Sequence, residues 1–325
     1  MGIEIIGIGS YLPEKILTNA ELEKMVDTTD EWITTRTGIK ERRIAKDTEA
    51  TSDLAIHAAK RAIKKANISP EEIDAIIVAT ITPDMFFPST ACFVQKGLGA
   101  KNAAVFDIAA ACSGFIYGTA IAKDMLKNGT YKTVLVIGAE TLSRITDWQD
   151  RNTCVLLGDG AGAVILKKTD SDSDILSSYL GADGNAGDLL YIPGGGSRNP
   201  ATHKTVDDRL HYMKMEGNKL FKIAVRAMAD SAKKAIELAG ITCDDVRLII
   251  PHQANIRIVE AVGKQLGVPM EKVFLNIQKY GNTSAATTPI ALEEAIYEGK
   301  VKKGDIVVLV AFGGGLTWGA AAIKL

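Results

Sequence analysis

Residues 59–78, AKRAIKKANISPEEIDAIIV, and residues 232–251, AKKAIELAGITCDDVRLIIP, are two versions of one unit. At a spacing of 173, Ala62 meets Ala235, Ile63 meets Ile236, Ala66 meets Ala239 and Ile68 meets Ile241. Glu71 and Glu72 then meet Asp244 and Asp245, and Ile76 and Ile77 meet Ile249 and Ile250. Each copy reads as an alanine-rich amphipathic helix, a turn and a short β-branched strand. The parallel continues. AAVF (103–106) leads through a turn to a helix over about 113–126, and VFL (273–275) leads to one over about 284–297. TVLVIGAE (133–140) matches DIVVLVAF (305–312), and GDGAGAVIL (158–166) matches GGGLTWGAAAIKL (313–325). Any two α/β segments share some pattern, but one element order at a nearly constant spacing marks a duplication. The strands are almost unbroken apolar runs, as in sheets covered on both faces.

The expected architecture is therefore a duplicated α/β fold packed as helix, sheet, helix, sheet, helix. The halves are expected at 1–170 and 217–325. Between them 171–216 forms an excursion or connection that is polar, rich in Gly, Asp and Ser, and includes PGGGSRNP (193–200). It has no first-half counterpart of similar length, and surface segments of that length are often functional.

Charge and cysteine content remove several function classes. Lys plus Arg is 38 against 39 for Asp plus Glu, a net charge of −1, which is wrong for a chain built to coat nucleic acid. Cys92, Cys112, Cys154 and Cys243 include no C-x-x-C pair and no zinc spacing, so no disulfide framework and no metal site is expected. The longest apolar run, Ile306 to Phe312, is strand-sized and far short of the ~20 residues that span a bilayer. The start, MGIEIIGIGSYLPE, carries Glu4 and no basic stretch, unlike a signal peptide. The expectation is a cytoplasmic protein without membrane contact.

Cys112 follows the strand AAVFD (103–107) and the small-residue turn IAAA (108–111), and it immediately precedes the helix SGFIYGTAIAKDML. A thiol there faces first-turn N–H groups and the positive end of a helix dipole, which favours thiolate. The alternative for such a position is a buried structural cysteine. His252, in IPHQAN, lies just past the strand RLII (247–250), where α/β proteins place ligands and catalysts; a loop histidine satisfied by its neighbours is the other reading. Asn282, in KYGNTSAAT, holds by the repeat roughly the place of Cys112, although asparagine at a helix start is commonly an N-cap. GIGSYL (7–12) and GDGAGA (158–163) fit neither a dinucleotide fingerprint nor a P-loop. FGGGLTWG (312–319) offers backbone N–H groups for an oxyanion hole, or else a tight turn between strands. Lys219, Lys222 and Arg226 fall on one face of the helix beginning near Gly217, as a solvated face or a dock for an acidic partner.

Together DIAAACSGF (107–115), PHQANIRI (251–258), YGNTSAAT (280–287) and AFGGGLTWG (311–319), supported by DEWITTRTGIKERR (30–43) and LLGDGAGA (156–163), resemble the thiolase superfamily, and within it the β-ketoacyl-[acyl-carrier-protein] synthase III family. The resemblance covers essentially the whole chain and implies the thiolase-like duplicated five-layer fold. It implies Cys112 as the acyl-accepting nucleophile with His252 and Asn282 as partners, and the backbone N–H groups of Cys112 and Gly314 as the oxyanion hole. Thr28, Trp32, Arg36, Arg151 and Asn218 match positions that hold coenzyme A. Gln253, Ala254, Asn255, Ile256 and Arg257, with Lys222 and Lys264, match a surface that docks the acidic acyl carrier protein. Phe87 matches a residue lining the acyl pocket of the neighbouring subunit, which implies a homodimer. The implied reaction condenses an acyl-CoA primer, acetyl-CoA the expected one, with malonyl-acyl carrier protein, initiating fatty acid biosynthesis without metal or redox cofactor.

Residues separate the relatives within the superfamily. Degradative thiolases use a second cysteine in the final glycine-rich motif, and FGGGLTWG has none. Elongating synthases use two histidines, where this chain has Asn282. Hydroxymethylglutaryl-CoA synthases need a glutamate near the position of Ala79 to Thr82, where no acid precedes Asp84. Plant-type polyketide synthases share the Cys-His-Asn set but resemble this chain less around Trp32 and Arg36. A catalytically silent paralogue would be free to lose the nucleophile.

Overall fold

The computed structural model describes residues 2–325 and holds two mixed sheets with one strand order. In the first sheet, Gly2–Tyr11, Gly160–Thr169, Thr133–Glu140, Ala75–Ala79 and Ala104–Ile108 lie side by side in that order. Asp174–Ala182, Thr317–Lys324, Ile306–Gly313 and Val246–Pro251 take the same places in the second. Its fifth place is reduced to a single parallel bridge between Val273 and Ile249. Ala75–Ala79 runs parallel to both of its neighbours, and Val246–Pro251 runs parallel to Ile306–Gly313. The first two strand pairs of each sheet, in those orders, are antiparallel.

The period of two along each strand sorts the core into layers. Ile77, Val134 and Val136 point to a central layer, while Ile76, Val78, Leu135 and Ile137 point outward. The central layer holds helices Gly114–Lys127 and Thr287–Tyr297, packed between both sheets through Phe115, Leu126, Leu292 and Ala295. Helices Thr51–Ala66 and Thr90–Leu98 cover the outer face of the first sheet. Gly217–Leu238 and Ile256–Leu266 cover the outer face of the second. The five layers expected from the duplication are thus present.

The boundary between the halves differs from the expected one. Asp174–Ala182, placed by the sequence reading inside the excursion 171–216, is the edge strand of the second sheet, paired from Ala182 against Thr317 to Asp174 against Lys324. The second half therefore begins near residue 174 rather than 217, and the excursion shrinks to 183–216. It also has a counterpart: residues 12–50 fill the same place between first strand and first helix, and carry the hairpin Lys15–Thr18 with Glu41–Ile44. Serines concealed the strand in DILSSYLGA. Ser177 is buried, and its hydroxyl donates to the Ala235 carbonyl at 2.6 Å, so a polar residue sits in the core satisfied by a helix that lies distant in sequence. Among the described residues no helix is long and apolar enough to cross a membrane.

Candidate active site

Two 3₁₀ turns meet between the sheets. Ala111–Ser113 feeds helix Gly114–Lys127, and Ser284–Ala286 feeds helix Thr287–Tyr297. Each turn opens on a non-glycine residue in the left-handed region, Ala111 at φ 45° and Ser284 at φ 49°. They stand at the same spacing of 173 as the sequence repeat. Such backbone costs of order 1–3 kcal/mol and persists only where its surroundings enforce it. Here the last strands do so. A Cβ on Gly313 would fall 2.5 Å from the Cys112 nitrogen, so only glycine lets that backbone pass. The Thr317 hydroxyl reaches the Ser113 hydroxyl at 2.7 Å and the Ala110 carbonyl at 2.9 Å. The register also refines the pseudo-symmetry: Ala285 is the counterpart of Cys112, and Asn282 lies three residues before it.

Cys112 and Asn282 line both of two adjoining cavities. The wider one, about 830 Å³, runs from a surface mouth at Trp32, Arg36, Lys222 and Arg257 down to Cys112 and His252. The narrower one, about 280 Å³, continues beyond Cys112 between Ile81, Leu142, Leu157 and Met213. Gly314 lines the narrow cavity beside Cys112. A polar thread entering by the first and an apolar chain ending in the second would place a reacting carbonyl at the sulfur.

Electrostatics differ from the sequence expectation for the thiol. Burial pushes Cys112 up to about 12, with the Glu140 charge adding to it and a hydrogen bond from Ser284 opposing it. A helix N-terminus offers at most ~2 kcal/mol, about one and a half pKa units, which is less than this rise. The resting sulfur is therefore a thiol. His252 is buried, and desolvation lowers it to about 3, so its ring is neutral. Its Nδ1 is buried without a partner among the described residues, so Nε2 is the ring nitrogen left to meet a ligand in the wide cavity. The Asn282 side-chain oxygen accepts from the Ser284 N–H at 2.9 Å, which leaves its NH₂ as the free donor. Two neutral polar side chains thus accompany the thiol.

The residues matched to coenzyme A gather at the mouth. Trp32, Arg36 and Asn218 line the wide cavity. Arg151 stacks on the Trp32 ring with its guanidinium carbon 4.8 Å from the centroid, so an adenine between them requires the pair to part. The Thr28 hydroxyl is buried without a partner near this cluster. Of the docking residues, Lys222, Arg257 and Lys264 are exposed, and Ala254 and Ile256 are half-buried. Asn255 caps helix Ile256–Leu266, and its NH₂ donates to the Arg36 carbonyl at 3.1 Å. Gln253 is a correction. It is buried, its NH₂ donates to the Pro251 and Phe274 carbonyls at 2.8 and 3.1 Å, and its oxygen accepts from the Asn276 N–H at 3.2 Å. With its side-chain amide engaged inside the protein, it braces the His252 loop and is not presented to a docking partner. In the basic stripe Lys219 pairs with Glu216 and Arg226 with Asp230, while Lys222 makes no ion pair among the described residues. Phe87 is 84% exposed and lines neither cavity of its own chain.

Sequence reasoning passed over Glu140 and Ser284. Glu140 ends the strand TVLVIGAE, whose eight residues are all buried. Its carboxylate lies against residues 80–82, the strand end that carries no acid of its own. It accepts from the hydroxyls of Thr80 (3.1 Å), Thr82 (2.6 Å) and Ser284 (3.0 Å), and from the N–H groups of Ile81 and Thr82. A charged residue closing a strand that is otherwise apolar after Thr133 was the signal available for it.

Comparison with known proteins finds relatives over the whole length of the chain. A family model described as 3-oxoacyl-[acyl-carrier-protein] synthase III matches residues 106–184, and its C-terminal companion matches residues 236–325. The β-ketoacyl-[acyl-carrier-protein] synthase III of Caldanaerobacter subterraneus subsp. tengcongensis is 61% identical over 98% of this chain and 97% of its own. That of Clostridioides difficile is 56% identical over the same shares. The crystal structure of 3-oxoacyl-[acyl-carrier-protein] synthase III from Aquifex aeolicus superposes with a TM-score of 0.93 at 55% identity, covering 100% of both chains.

Proposed function

Because the chain belongs to the β-ketoacyl-[acyl-carrier-protein] synthase III family, and so is an enzyme of the acyltransferase type with a thiolase-like fold, we propose that it joins an acyl-CoA primer to malonyl-acyl carrier protein through an acyl-enzyme on Cys112. The thiol loses its proton as it attacks the primer thioester. The tetrahedral oxyanion takes hydrogen bonds from the N–H groups of Cys112 and Gly314, each worth ~3 kcal/mol. Coenzyme A leaves, held meanwhile by Thr28, Trp32, Arg36, Arg151 and Asn218. Malonyl-carrier protein then docks on Lys222, Ala254, Asn255, Ile256, Arg257 and Lys264. Loss of carbon dioxide places negative charge on its thioester oxygen. Nε2–H of His252 and the NH₂ of Asn282, whose oxygen is already engaged by the Ser284 N–H, donate to that enolate oxygen. The enolate carbon attacks the acyl group, and the Cys112 sulfur departs. Kinetics are ping-pong. Acetyl-CoA is the primer proposed, with the alkyl end turned toward Ile81, Leu142 and Met213. Phe87 of a second copy reaches that pocket in a homodimer. No metal or redox group takes part in these steps.

The observation that carries this reading is the position of Cys112 on the lining of both adjoining cavities, with neutral His252 and amide-oriented Asn282 beside it. A matrix of acyl-CoAs against malonyl-carrier protein tests it. Wild type should form β-ketoacyl-carrier protein and Cys112→Ser should lose at least ~10³-fold in rate. Product from Cys112→Ser at the wild-type rate would refute the covalent assignment.

A further inference from the structure

In the reaction proposed above, on which this inference rests, Asn282 acts at the enolate stage, and its support comes from the first half of the chain. Its backbone is clamped to the segment that follows helix Arg151–Cys154. The Asn282 N–H donates to the Leu156 carbonyl at 2.8 Å, and its carbonyl accepts from the Gly158 N–H at 2.9 Å, a parallel bridge across Leu157. Residues 155–158 belong to neither sheet, so another group must fix them. Arg42, on strand Glu41–Ile44 within the motif DEWITTRTGIKERR, meets that need. It is wholly buried, and its Nη2 donates to the Val155 carbonyl at 2.8 Å, one residue before the carbonyl that holds Asn282. Its stem fills space that two glycines leave. A Cβ on Gly158 would lie 3.1 Å from the Arg42 Cβ, and one on Gly281 would lie 3.4 Å from it. We propose that Arg42 is a positioning residue for Asn282, setting the carboxamide where the enolate oxygen forms and so serving condensation rather than acyl transfer.

The rest of the guanidinium anchors it. Nη1 donates to the Leu17 carbonyl at 3.0 Å and to Asn19 Oδ1 at 2.9 Å, and Nη2 reaches the same Oδ1 at 2.9 Å. Asn19 is itself buried, and its Nδ2 donates to the Asp30 carboxylate and the Ile39 carbonyl, both at 2.8 Å. Those acceptors stand at the start of helix Asp30–Thr37 and just past its end. The fork is thus tied to a helix and cannot swing away from Val155.

Stability alone gives little reason for this arrangement. All four hydrogen bonds go to uncharged oxygens, and Nε is buried without a partner among the described residues. A buried cation lacking a counter-charge is costly. What the planar fork supplies is donation to three residues at once in fixed directions. Asn282 needs that precision, since a displacement of about 1 Å in a reacting group costs about 10²-fold in rate. Cys112 is supported separately. Its turn is enforced by Gly313 and by the Thr317 hydroxyl on Ser113 and Ala110, none of which touches Arg42 through a hydrogen bond.

The test measures the two half-reactions separately at saturating substrate. Acyl transfer from acetyl-CoA is followed by quench and intact mass, and condensation by adding malonyl-carrier protein to preformed acetyl-enzyme. Arg42→Lys keeps the charge and loses the fork; Arg42→Met keeps the stem and leaves no buried charge. Each should slow condensation by about 10²-fold, with acyl transfer within about twofold of wild type. Adding Asn282→Ala to Arg42→Lys should slow condensation no further than Asn282→Ala alone, because Arg42 acts through Asn282. A merely structural role would produce neither that split nor that missing additivity. One folded variant is enough for the comparison. If neither folds, Arg42 serves the fold itself and the proposal falls. No loss, equal losses in both half-reactions, or losses additive with Asn282→Ala overturn it too, and leave the acyl-enzyme reading standing. An Asn282→Ala enzyme that condenses at the wild-type rate overturns instead the role of Asn282 in that reading, and the proposal with it.

Discussion

His252 is almost wholly buried, and that makes it a liability in acid. In the unfolded chain it protonates near 6.5, and in the folded one burial depresses it to about 3. A depressed folded value means that its contribution to stability is complete above about 6.5 and is lost as pH falls toward 3. His252→Gln removes the titration. Thermal melts should therefore show wild type losing more stability than the variant between pH 7 and pH 4. Equal losses would show that the ring is not held neutral in the fold. At this scale the sequence was informative wherever a residue's neighbours along the chain define its place. A cysteine at a strand–helix turn and a histidine past a strand end are local patterns, and both proved to line one cavity. Glu140 and Ser284 were missed because their contact joins residues 144 apart across the meeting of the halves. Gln253 failed for the same reason, since Phe274 and Asn276 engage its amide from another segment.

Among elements, the segment 183–216 closes the apolar cavity, to which Leu190, Ile192 and Met213 belong. It is fastened to the first half beyond residue 142. The Met213 N–H donates to the Ile145 carbonyl at 2.9 Å, and Asp147 pairs with Arg209 and, at 3.7 Å, with Lys214. Arg209 holds the Asp147 carboxyl below its ordinary value. Asp147→Asn should leave Arg209 without a counter-charge and speed amide exchange over residues 205–214 by about tenfold, with the sheet amides unchanged. Hydrogen exchange read by mass spectrometry checks this; unaltered protection there would mean that packing alone fastens the segment. Helices and inner strands were legible because period and burial agree in them. The edge strand Asp174–Ala182 was not, since an edge strand buries fewer of its side chains and its serines are satisfied only by tertiary partners.

For the whole molecule, duplication supplies the site. Two sheets of one order bring two helix starts together, yet the copies have diverged where they meet. The first half gives Cys112 where the second has Ala285, and the second gives Asn282, three residues ahead of Ala285. His252 arrives from the end of the second sheet's parallel strand. The repeat was visible in the sequence as a spacing of 173, and it predicted the layers. It could not predict the cavities, whose shape depends on side chains from both excursions. The central claim is that Cys112 carries the acyl group between two thioesters. Intact mass with peptide mapping, after acetyl-CoA and then after malonyl-carrier protein, tests it most directly. The account predicts one acetyl group per chain on the peptide containing Cys112, discharged into product when malonyl-carrier protein is added. An unmodified Cys112 peptide during active turnover would contradict it.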